Sequence, residues 1–336
     1  MTSTTALPTT ALGTTRVGAQ GYGAMGISEF YGPTDAAEAR ATLERALELG
    51  VTLFDTADMY GSGHNEEFVG EFVRAHRESV VLATKFGLER RADDPGFRGI
   101  NNSPEYIRAA VDASLGRLGI DVIDLYYMHR KQDGVPIEET VGVMAELVAA
   151  GKVRQLGLSE VTGPELRAAY AVHPIAAVQS EWSLFSRDVE RAVVPAAAEL
   201  GVTFVPYSPL GRGFLSGAVT PTGELPEGDY RRLHPRFSGD NAVRNAEILA
   251  PMHVIAAARE LTPAQVALAW VHARARVHDL PVVPIPGTRS RTRVAENVAA
   301  ATVELTAAEL ETLDAIADLV AGDRYADMKF SSAGRE

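Results

Sequence analysis

The sequence predicts an α/β fold, a (β/α)8 barrel built as a single domain over residues 1–336. Short apolar runs rich in β-branched and aromatic residues recur along the chain, separated by stretches rich in Ala, Glu and Leu. This alternation of strand and helix indicates a parallel sheet, and eight such units favour a closed barrel over an open sheet. Glycines stand just past several predicted helices, where a left-handed residue is needed to end the helix. These are Gly50, Gly119, Gly151 and Gly201.

Strands and helices are predicted in alternating order. Two helix starts, Ser103-Pro104 and Thr262-Pro263, combine a capping hydroxyl with proline at the first helical position. A small hairpin over residues 10–18 is expected to close the bottom of the barrel. The predicted strands are 16–21, 52–55, 80–84, 123–128, 153–158, 176–179, 203–206 and 282–285. The predicted helices are 35–49, 66–75, 104–118, 137–150, 163–172, 187–200 and 262–274.

The connection after the seventh strand, residues 209–281, is too long for a simple loop. Its middle, residues 220–241, is rich in Gly, Pro, Arg and Asp, which predicts a mobile excursion over one face of the barrel. The excursion could fold over a binding site or form a contact in a homo-oligomer. The sequence leaves both alternatives open.

Composition excludes several classes of function. A formal net charge of −12 argues against a sequence-independent grip on nucleic acid or on an anionic membrane. The chain has no cysteine, which rules out disulfides, thiolate catalysis and cysteine-ligated metals. Its histidines form no HExxH pattern, so no metal is expected. Because no long apolar run and no secretion signal is recognisable, we expect a cytoplasmic protein.

Polar residues at the predicted carboxyl ends of strands two to four suggest chemistry on a carbonyl group, since active sites of such barrels lie there. Tyr60 could donate the proton that a developing alkoxide needs, although its unperturbed pKa is about 10. The cation of Lys85 would favour the phenolate, Asp55 would hold the ammonium, and His129 would orient the carbonyl oxygen. Each residue alone has an ordinary explanation: a helix cap, a rim aromatic, a surface lysine, a loop histidine. Their shared position at one end of the barrel makes the catalytic interpretation the stronger one.

Three segments that contain these residues resemble, in order, the signature motifs of the aldo-keto reductases. They are FDTADMYG at 54–61, followed by Asn65-Glu66 and Gly70, then TKFG at 84–87 and DLYYMHR at 124–130. The segments GAMG at 23–26 and FYGP at 30–33 resemble the long-barrel bacterial and plant members in particular. The resemblance extends from about residue 15 to residue 297. It implies Tyr60 as general acid and base tuned by Lys85 and Asp55, His129 as the substrate-positioning residue, NADP(H) as cofactor, and a small carbonyl or alcohol substrate.

The run GYGAMG at 21–26 fits the GxGxxG dinucleotide pattern, but Gly32 and Pro33 interrupt the chain before a helix can open on it. We therefore interpret these glycines as letting the backbone approach a ligand at the barrel mouth. Better cofactor evidence follows strands seven and eight. Tyr207 could stack on a nicotinamide ring, and the loop amides after it, with Arg212, could hold a pyrophosphate. A flexible turn is the alternative.

After the eighth strand, PGTRSRTR at 286–293 places three arginines within five residues at a predicted helix start. A phosphate bound there would explain them, whereas a solvated helix face is the alternative. The resemblance assigns Arg289 and Arg293 to the 2′-phosphate and adenine, Glu296 and Asn297 to the adenine edge, and Ser159 and Gln179 to the carboxamide. The expected cofactor set is Met25, Asp55, Ser159, Gln179, Tyr207, Ser208, Pro209, Leu210, Gly211, Arg212, Gly213, Pro286, Gly287, Thr288, Arg289, Arg293, Glu296 and Asn297.

Some site features stay open at this level. Where many aldo-keto reductases have Asn after the fifth-strand serine, this chain has Glu160, and an ionised carboxylate cannot donate to a carboxamide. Phe30 and Trp182 are expected to wall the substrate site beside Tyr60 and His129, with rim packing as the equal alternative.

A second functional hypothesis is a nucleotide-binding regulatory subunit with little turnover, similar to the channel-associated members of the family. A third is an unrelated barrel enzyme, for which the sequence offers no metal-site motif.

Overall fold

The computed structural model describes residues 7–28, 30–91, 93–94, 97–217, 225 and 229–336. Among them, seven parallel strands form one sheet in the order β3, β4, β5, β8, β9, β10, β11. Two antiparallel pairs, β1 with β2 and β6 with β7, stand apart from this sheet. The strands are β1 Thr9–Leu12, β2 Thr15–Gly18, β3 Tyr22–Gly23, β4 Leu53–Asp55, β5 Val81–Phe86, β6 Leu88–Glu89, β7 Gly99–Ile100, β8 Ile123–Met128, β9 Val153–Ser159, β10 Ile175–Glu181 and β11 Thr203–Tyr207.

An eighth extended segment, residues 281–285, closes the sheet into a barrel. On one side it bonds to β11, where Val283 N donates to Phe204 O at 2.9 Å and Ile285 N donates to Pro206 O at 3.0 Å. On the other side Gly21 N, just before β3, donates to Pro284 O at 2.9 Å. The first and last strands are thereby joined, which confirms the predicted eight-stranded barrel.

Helices follow the strands and cover the outside of the barrel. The predicted helices at 104–118 and 163–172 have the observed bounds, and capping explains why: Ser103 accepts from Tyr106 N, and Thr162 forms a capping box with Glu165. The helices are α1 Met25–Ser28, α2 Ala36–Glu48, α3 His64–Ala75, α4 Pro104–Leu118, α5 Ile137–Ala149, α6 Gly163–Val172, α7 Val193–Leu200, α8 Gly239–Glu247, α9 Ala250–Ala258, α10 Pro263–His278, α11 Arg291–Ala299 and α12 Ala307–Asp314. Of the described helices, no member is long and apolar enough to cross a membrane.

The first predicted strand, 16–21, was placed too early in the chain. Its beginning belongs to β2, which pairs with β1 and confirms the expected hairpin. The barrel strand is β3, which pairs with β4 through Tyr22–Phe54 and Gly23–Asp55. The hairpin strand β2 has the sequence TRVG, whereas β3 has only two residues, Tyr22 and Gly23. Composition therefore favoured the hairpin strand over the first barrel strand.

The barrel interior has a layered core. Side chains alternate along a strand between the inside of the barrel and the helices, so Leu53, Ala83, Leu125, Ala177 and Val205 form one buried inner cluster. Leu12 and Val17 of the hairpin join this cluster and seal the bottom. The residues two positions further along each strand must also point inward, and several of these are polar.

The excursion after β11 contains α8, α9 and α10, so most of its described part is helical. Residues 218–224 and 226–228 lie outside the described residues, and the predicted mobility of the segment stays a prediction. Residues 229–237 reach the barrel mouth: the rings of Tyr230 and Phe30 are 5.1 Å apart, and Tyr230 N donates to Phe30 O at 3.2 Å.

A glycine in the barrel makes a specific prediction about stability. A Cβ added at Gly157 would lie 2.4 Å from the ring of Tyr127, and both groups are inside a closed barrel. We expect Gly157→Ala to destabilise the fold by about 1–3 kcal/mol through overpacking, measured by urea unfolding. Gly142→Ala on α5 is the control, because open space surrounds that position. Equal stability of the Gly157→Ala protein and the wild type would contradict this account.

Candidate active site

A polar layer lies directly above the apolar interior of the barrel. Asp55 ends β4, Lys85 lies on β5 and Gln179 lies on β10, each two residues after a member of the inner apolar cluster. Lys85 Nζ donates to the Asp55 carboxylate and to Thr56 O, the latter at 2.9 Å. Gln179 Nε2 donates to the other Asp55 oxygen at 2.8 Å. This polar layer therefore contains a buried ion pair, and Thr56 O and Gln179 provide further hydrogen bonds to its two members.

Tyr60 and His129 lie over this ion pair. Tyr60 begins a short 3-10 turn that continues through left-handed Gly61 and Ser62. Its ring centroid is 5.3 Å from Lys85 Nζ and 6.0 Å from the His129 ring, which it meets edge-on. The structure thus brings together the four residues that sequence reasoning selected from strands two to four.

The electrostatics of these groups follow from burial. Burial raises the pKa of Asp55 and lowers that of Lys85, while their mutual attraction opposes both changes. Burial and then the charge of Asp55 raise the pKa of Tyr60 well above its usual value, and the charge of Arg130 acts against them. Tyr60 is therefore a protonated phenol near neutral pH.

His129 is neutral for a related reason. Burial lowers its pKa well below the usual value, and the charges of Arg130 and Lys85 lower it further. Its Nδ1 atom is buried and has no hydrogen-bond partner among the described residues. A neutral imidazole with Nε2 protonated can donate to an uncharged carbonyl oxygen, which is the role expected of this residue.

Apolar side chains surround the phenol. Ala57, Met59 and Tyr60 form a small buried cluster, and Met25, Phe30 and Leu88 pack against it. Phe30 thus lies beside the catalytic group, where it was expected as a substrate wall.

Trp182 was also expected in that wall, and its position must be corrected. Its indole is fully buried, with Phe204 at 4.8 Å and His278 at 5.5 Å between ring centroids. Its Nε1 donates to Glu190 at 2.9 Å. The ring belongs to the core between the sheet and the helices, because its position just past β10 turns it outward.

Glu160 is the centre of a second buried network at the barrel mouth. It has a left-handed backbone with φ of 52°, and both of its carboxylate oxygens accept from the Arg324 guanidinium at 2.9 Å. Tyr207 Oη donates to it at 2.7 Å and Ser332 N at 2.9 Å. Burial raises its pKa, but the charges of Arg324 and Arg130 and these hydrogen bonds lower it to about 2. The carboxylate whose role the sequence left open therefore holds residues 324–335, the mouth segment, against the barrel.

The loop after β11 takes part in the same network. Tyr207 Oη and Tyr325 Oη are 2.9 Å apart. Arg212 donates to Glu181 at 2.6 Å and to Arg324 O at 2.9 Å, and its guanidinium lies 4.7 Å from the Tyr325 ring centroid. For the predicted pyrophosphate contact, the Arg212 side chain would therefore have to leave these partners. The backbone of the same loop turns sharply, because Ser208, Gly211, Arg212 and Gly213 are left-handed.

The arginines after the eighth strand differ in their surroundings. Arg289 donates to the carbonyl oxygens of Tyr31 at 3.0 Å and Pro33 at 2.6 Å, so it ties that loop to the barrel mouth. Arg291 pairs with Glu38 on the surface at 3.0 Å. The exposed guanidinium of Arg293 has no ion-pair partner in the part of the chain that the structure describes, and it lies in the first turn of α11. Glu296 accepts from Thr262 Oγ1 at 2.5 Å, and Asn297 is buried on the same helix.

The glycines at 21 and 23 have a structural role that differs from the one expected. A Cβ on Gly21 would lie 2.9 Å from Ile285 Cγ2, and one on Gly23 would lie 2.8 Å from Ile285 O. Each glycine thus allows the first and eighth strands to approach each other, whereas the approach of a ligand stays a prediction. The helix after them, α1, has four residues, which also argues against a dinucleotide fingerprint.

Comparisons with known proteins agree with this barrel fold. The sequence model of the Aldo/keto reductase family matches residues 20–318. The chain belongs to the aldo/keto reductase family. It is 42% identical over 307 residues to an aldo-keto reductase of Schizosaccharomyces pombe named yakc [NADP(+)], with 89% of each chain covered.

Solved structures of bacterial proteins have the same fold as this aldo/keto reductase. A glycerol dehydrogenase from Gluconobacter oxydans superposes with a TM-score of 0.80 at 27% identity, covering 95% of this chain and 97% of its own. An aldo/keto reductase from Klebsiella pneumoniae, solved in complex with NADP and acetate, gives 0.69 at 27% identity, covering 96% and 99%.

Sequence reasoning missed three groups of this aldo/keto reductase that the structure places at the mouth. They are Arg130, Glu181 and the mouth segment with Arg324 and Tyr325. The first two stood among polar residues at or near strand ends, a signal that was available. The mouth segment lies beyond residue 318, where the family match ends, and its composition resembles an ordinary polar terminus.

The Glu160–Arg324 pair makes a prediction about the mouth segment. Glu160→Gln would remove the carboxylate that binds both terminal nitrogens of the buried Arg324 guanidinium and leave it only Asp188, at 3.2 Å. We therefore expect about 3 kcal/mol of destabilisation. Hydrogen exchange should rise first in residues 324–335. Glu199→Gln, which removes an exposed pair with Arg167, is the control and should change stability little. Unchanged exchange in the mouth segment of Glu160→Gln would contradict the role assigned to this carboxylate.

The same pair predicts a pH dependence. Because the folded pKa of Glu160 is about 2 and the unfolded value is about 4.3, its contribution is complete above the unfolded pKa. It is lost as the pH falls toward the folded pKa. The difference in unfolding free energy between wild type and Glu160→Gln should therefore shrink between about pH 5 and pH 2. A constant difference across that range would argue against an ionised Glu160.

Proposed function

We propose that this aldo/keto reductase reduces aldehydes or ketones to alcohols with NADP(H) as the hydride donor. The observation that carries the proposal is the arrangement of Tyr60 and His129 over the buried Lys85–Asp55 pair. It presents a phenolic proton and a neutral imidazole side by side, in surroundings from which water is largely excluded.

Tyr60 supplies the proton in this proposal. Reduction produces an alkoxide, and a phenol held protonated by burial and by Asp55 can give up its proton to that oxygen. The Lys85 ammonium, 5.3 Å from the Tyr60 ring centroid, stabilises the phenolate left behind. Asp55 and Gln179 keep that ammonium in place, and His129 donates a hydrogen bond to the reacting carbonyl oxygen.

The residues at the mouth fit a nicotinamide dinucleotide, which would supply the hydride when bound. Ser159 and Gln179 lie inside the mouth at the ends of neighbouring strands, where we assign the carboxamide, and Tyr207 is the aromatic neighbour. The left-handed loop 208–213 and the amino end of α11 follow the seventh and eighth strands, where barrels commonly bind phosphate. The relatives named with NADP support the choice of this cofactor.

Tyr60→Phe tests the proton donor. We expect NADPH oxidation with an aromatic aldehyde to fall by about 10²–10⁴-fold, as for the loss of a general acid, while the dissociation constant for NADPH changes little. Tyr170→Phe on α6, remote from the mouth, is the control and should keep full activity. Turnover of Tyr60→Phe at the wild-type rate would refute the tyrosine mechanism. Tight NADPH binding by the wild type without turnover on any carbonyl would instead favour a regulatory subunit.

Arg293→Ala tests the preference for NADPH over NADH. Because Arg293 has no ion-pair partner among the described residues, its loss should weaken NADPH binding about tenfold or more and leave NADH binding nearly unchanged. Arg291→Ala, which removes the surface pair with Glu38, is the matched control. Binding is measured by fluorescence titration. Equal losses for both cofactors in Arg293→Ala would remove the case for a 2′-phosphate site.

A further inference from the structure

The buried arginine beside the catalytic histidine differs from the other cations at the barrel mouth. Lys85 is paired with Asp55, Arg324 with Glu160, and Arg212 with Glu181. Arg130 is 9% exposed, yet no carboxylate in the described part of the chain lies within ion-pair distance of it. A buried cation without an anion is costly, so the arrangement needs a further partner.

The hydrogen bonds of Arg130 use one of its nitrogen atoms. Its Nη1 donates to His129 O at 2.6 Å and to Ser159 Oγ at 3.2 Å. The Nε and Nη2 atoms have no hydrogen-bond partner within the described ranges, although neither is sealed off from solvent. A planar guanidinium with two free donors on adjacent atoms matches a carboxylate.

The groups that face Arg130 do not supply that anion. They are the phenols Tyr207 and Tyr325, the carboxylate Glu160 and the cation Arg324. Burial holds the pKa of Tyr207 well above its usual value, so that phenol is neutral. Glu160 is ionised, but both of its oxygens already accept from Arg324. Among the described residues no free carboxylate is left for Arg130, and we infer that a bound ligand supplies the anion.

The position of Arg130 indicates whether the cofactor or the substrate supplies the anion. It follows His129 directly in the chain, bonds to Ser159, and its charge acts on Tyr60, so it lies at the reaction centre. The phosphates of a dinucleotide are assigned to the other strands, seven and eight. Since no described carboxylate and no assigned cofactor phosphate lies beside Arg130, we assign its anion to the molecule that carries the reacting carbonyl.

We propose that Arg130 is a specificity-determining residue that binds the carboxylate of an anionic carbonyl substrate, an oxo acid or a carboxylate-bearing aldehyde. This inference rests on the proposed reductase function and narrows it. The sequence shows no concentrated basic patch near the catalytic strands, which alone favours a neutral aldehyde or ketone, and the buried Arg130 points instead to an anionic one.

The test compares matched substrates and matched variants. The substrates are 2-, 3- and 4-carboxybenzaldehyde and their methyl esters, which share one reacting carbonyl and differ in charge. The variants are Arg130→Gln, Arg130→Lys and, as control, Lys131→Gln at the adjacent position, where the ammonium contacts Gln132 O. NADPH oxidation gives kcat and KM for each pair.

For at least one isomer, wild type should prefer the acid over its ester by about 10–100-fold in kcat/KM, the range for a charged hydrogen-bonded contact. Arg130→Gln should abolish the preference mainly through KM, Arg130→Lys should retain part of it, and Lys131→Gln should retain all. Absence of a preference in wild type would overturn the proposal. Equal loss on acid and ester in Arg130→Gln would also overturn it, because the arginine would then act on Tyr60 or the fold.

A second readout separates this inference from the proposed function. If wild type turns over the esters and not the acids, the reductase function holds and the role of Arg130 fails. If no carbonyl is turned over, the reductase function fails, and calorimetry with benzoate in the presence of NADP+ decides the role of Arg130. Binding by wild type and tenfold weaker binding by Arg130→Gln would support a carboxylate site. Equal affinity for the two proteins would refute it.

Discussion

The buried ion pair between Lys85 and Asp55 is the interaction on which the rest of the site depends. Two opposite charges inside a closed barrel are tolerable because they satisfy each other, with Gln179 and Thr56 O completing their hydrogen bonds. Strand alternation imposes this arrangement on three separate strands at once. A slip of one residue in any of them would turn a polar side chain of this layer toward the helices. The register of the barrel strands therefore also fixes the position of the ion pair beneath Tyr60.

A second set of ion pairs lies at the barrel mouth and has a different structural role. Glu160 with Arg324 and Glu181 with Arg212 bind segments that are far apart in the chain, and the long connection after β11 packs on Phe30 from the other side. The lower pair fixes the reacting groups, whereas the upper pairs fix the walls around them. Arg130 lies between these two sets of ion pairs, and no carboxylate in the described part of the chain pairs with it.

Much of the fold and of the candidate site could be predicted from the sequence, because both are local consequences of alternation. Apolar runs of strand length located seven of the eight barrel strands, and the residues at their ends located Asp55, Lys85 and His129. Prediction failed where the answer depended on contacts between distant segments. Positions 21 and 23 have no room for a larger side chain because Ile285 approaches them. Trp182 turns into the core although it follows a strand. Glu160 pairs with an arginine that lies 164 residues later in the chain. No local pattern contains such information.

The attachment of the mouth segment also has a consequence for the order of assembly. All eight barrel strands have been synthesised by residue 285, whereas the groups that complete the mouth, Arg324 and Ser332, emerge from the ribosome later. During synthesis the barrel can therefore close around its apolar interior while Glu160 is still without its partners and Tyr207 is still uncovered. In this protein the scaffold can form first, and the enclosure of the catalytic group comes last.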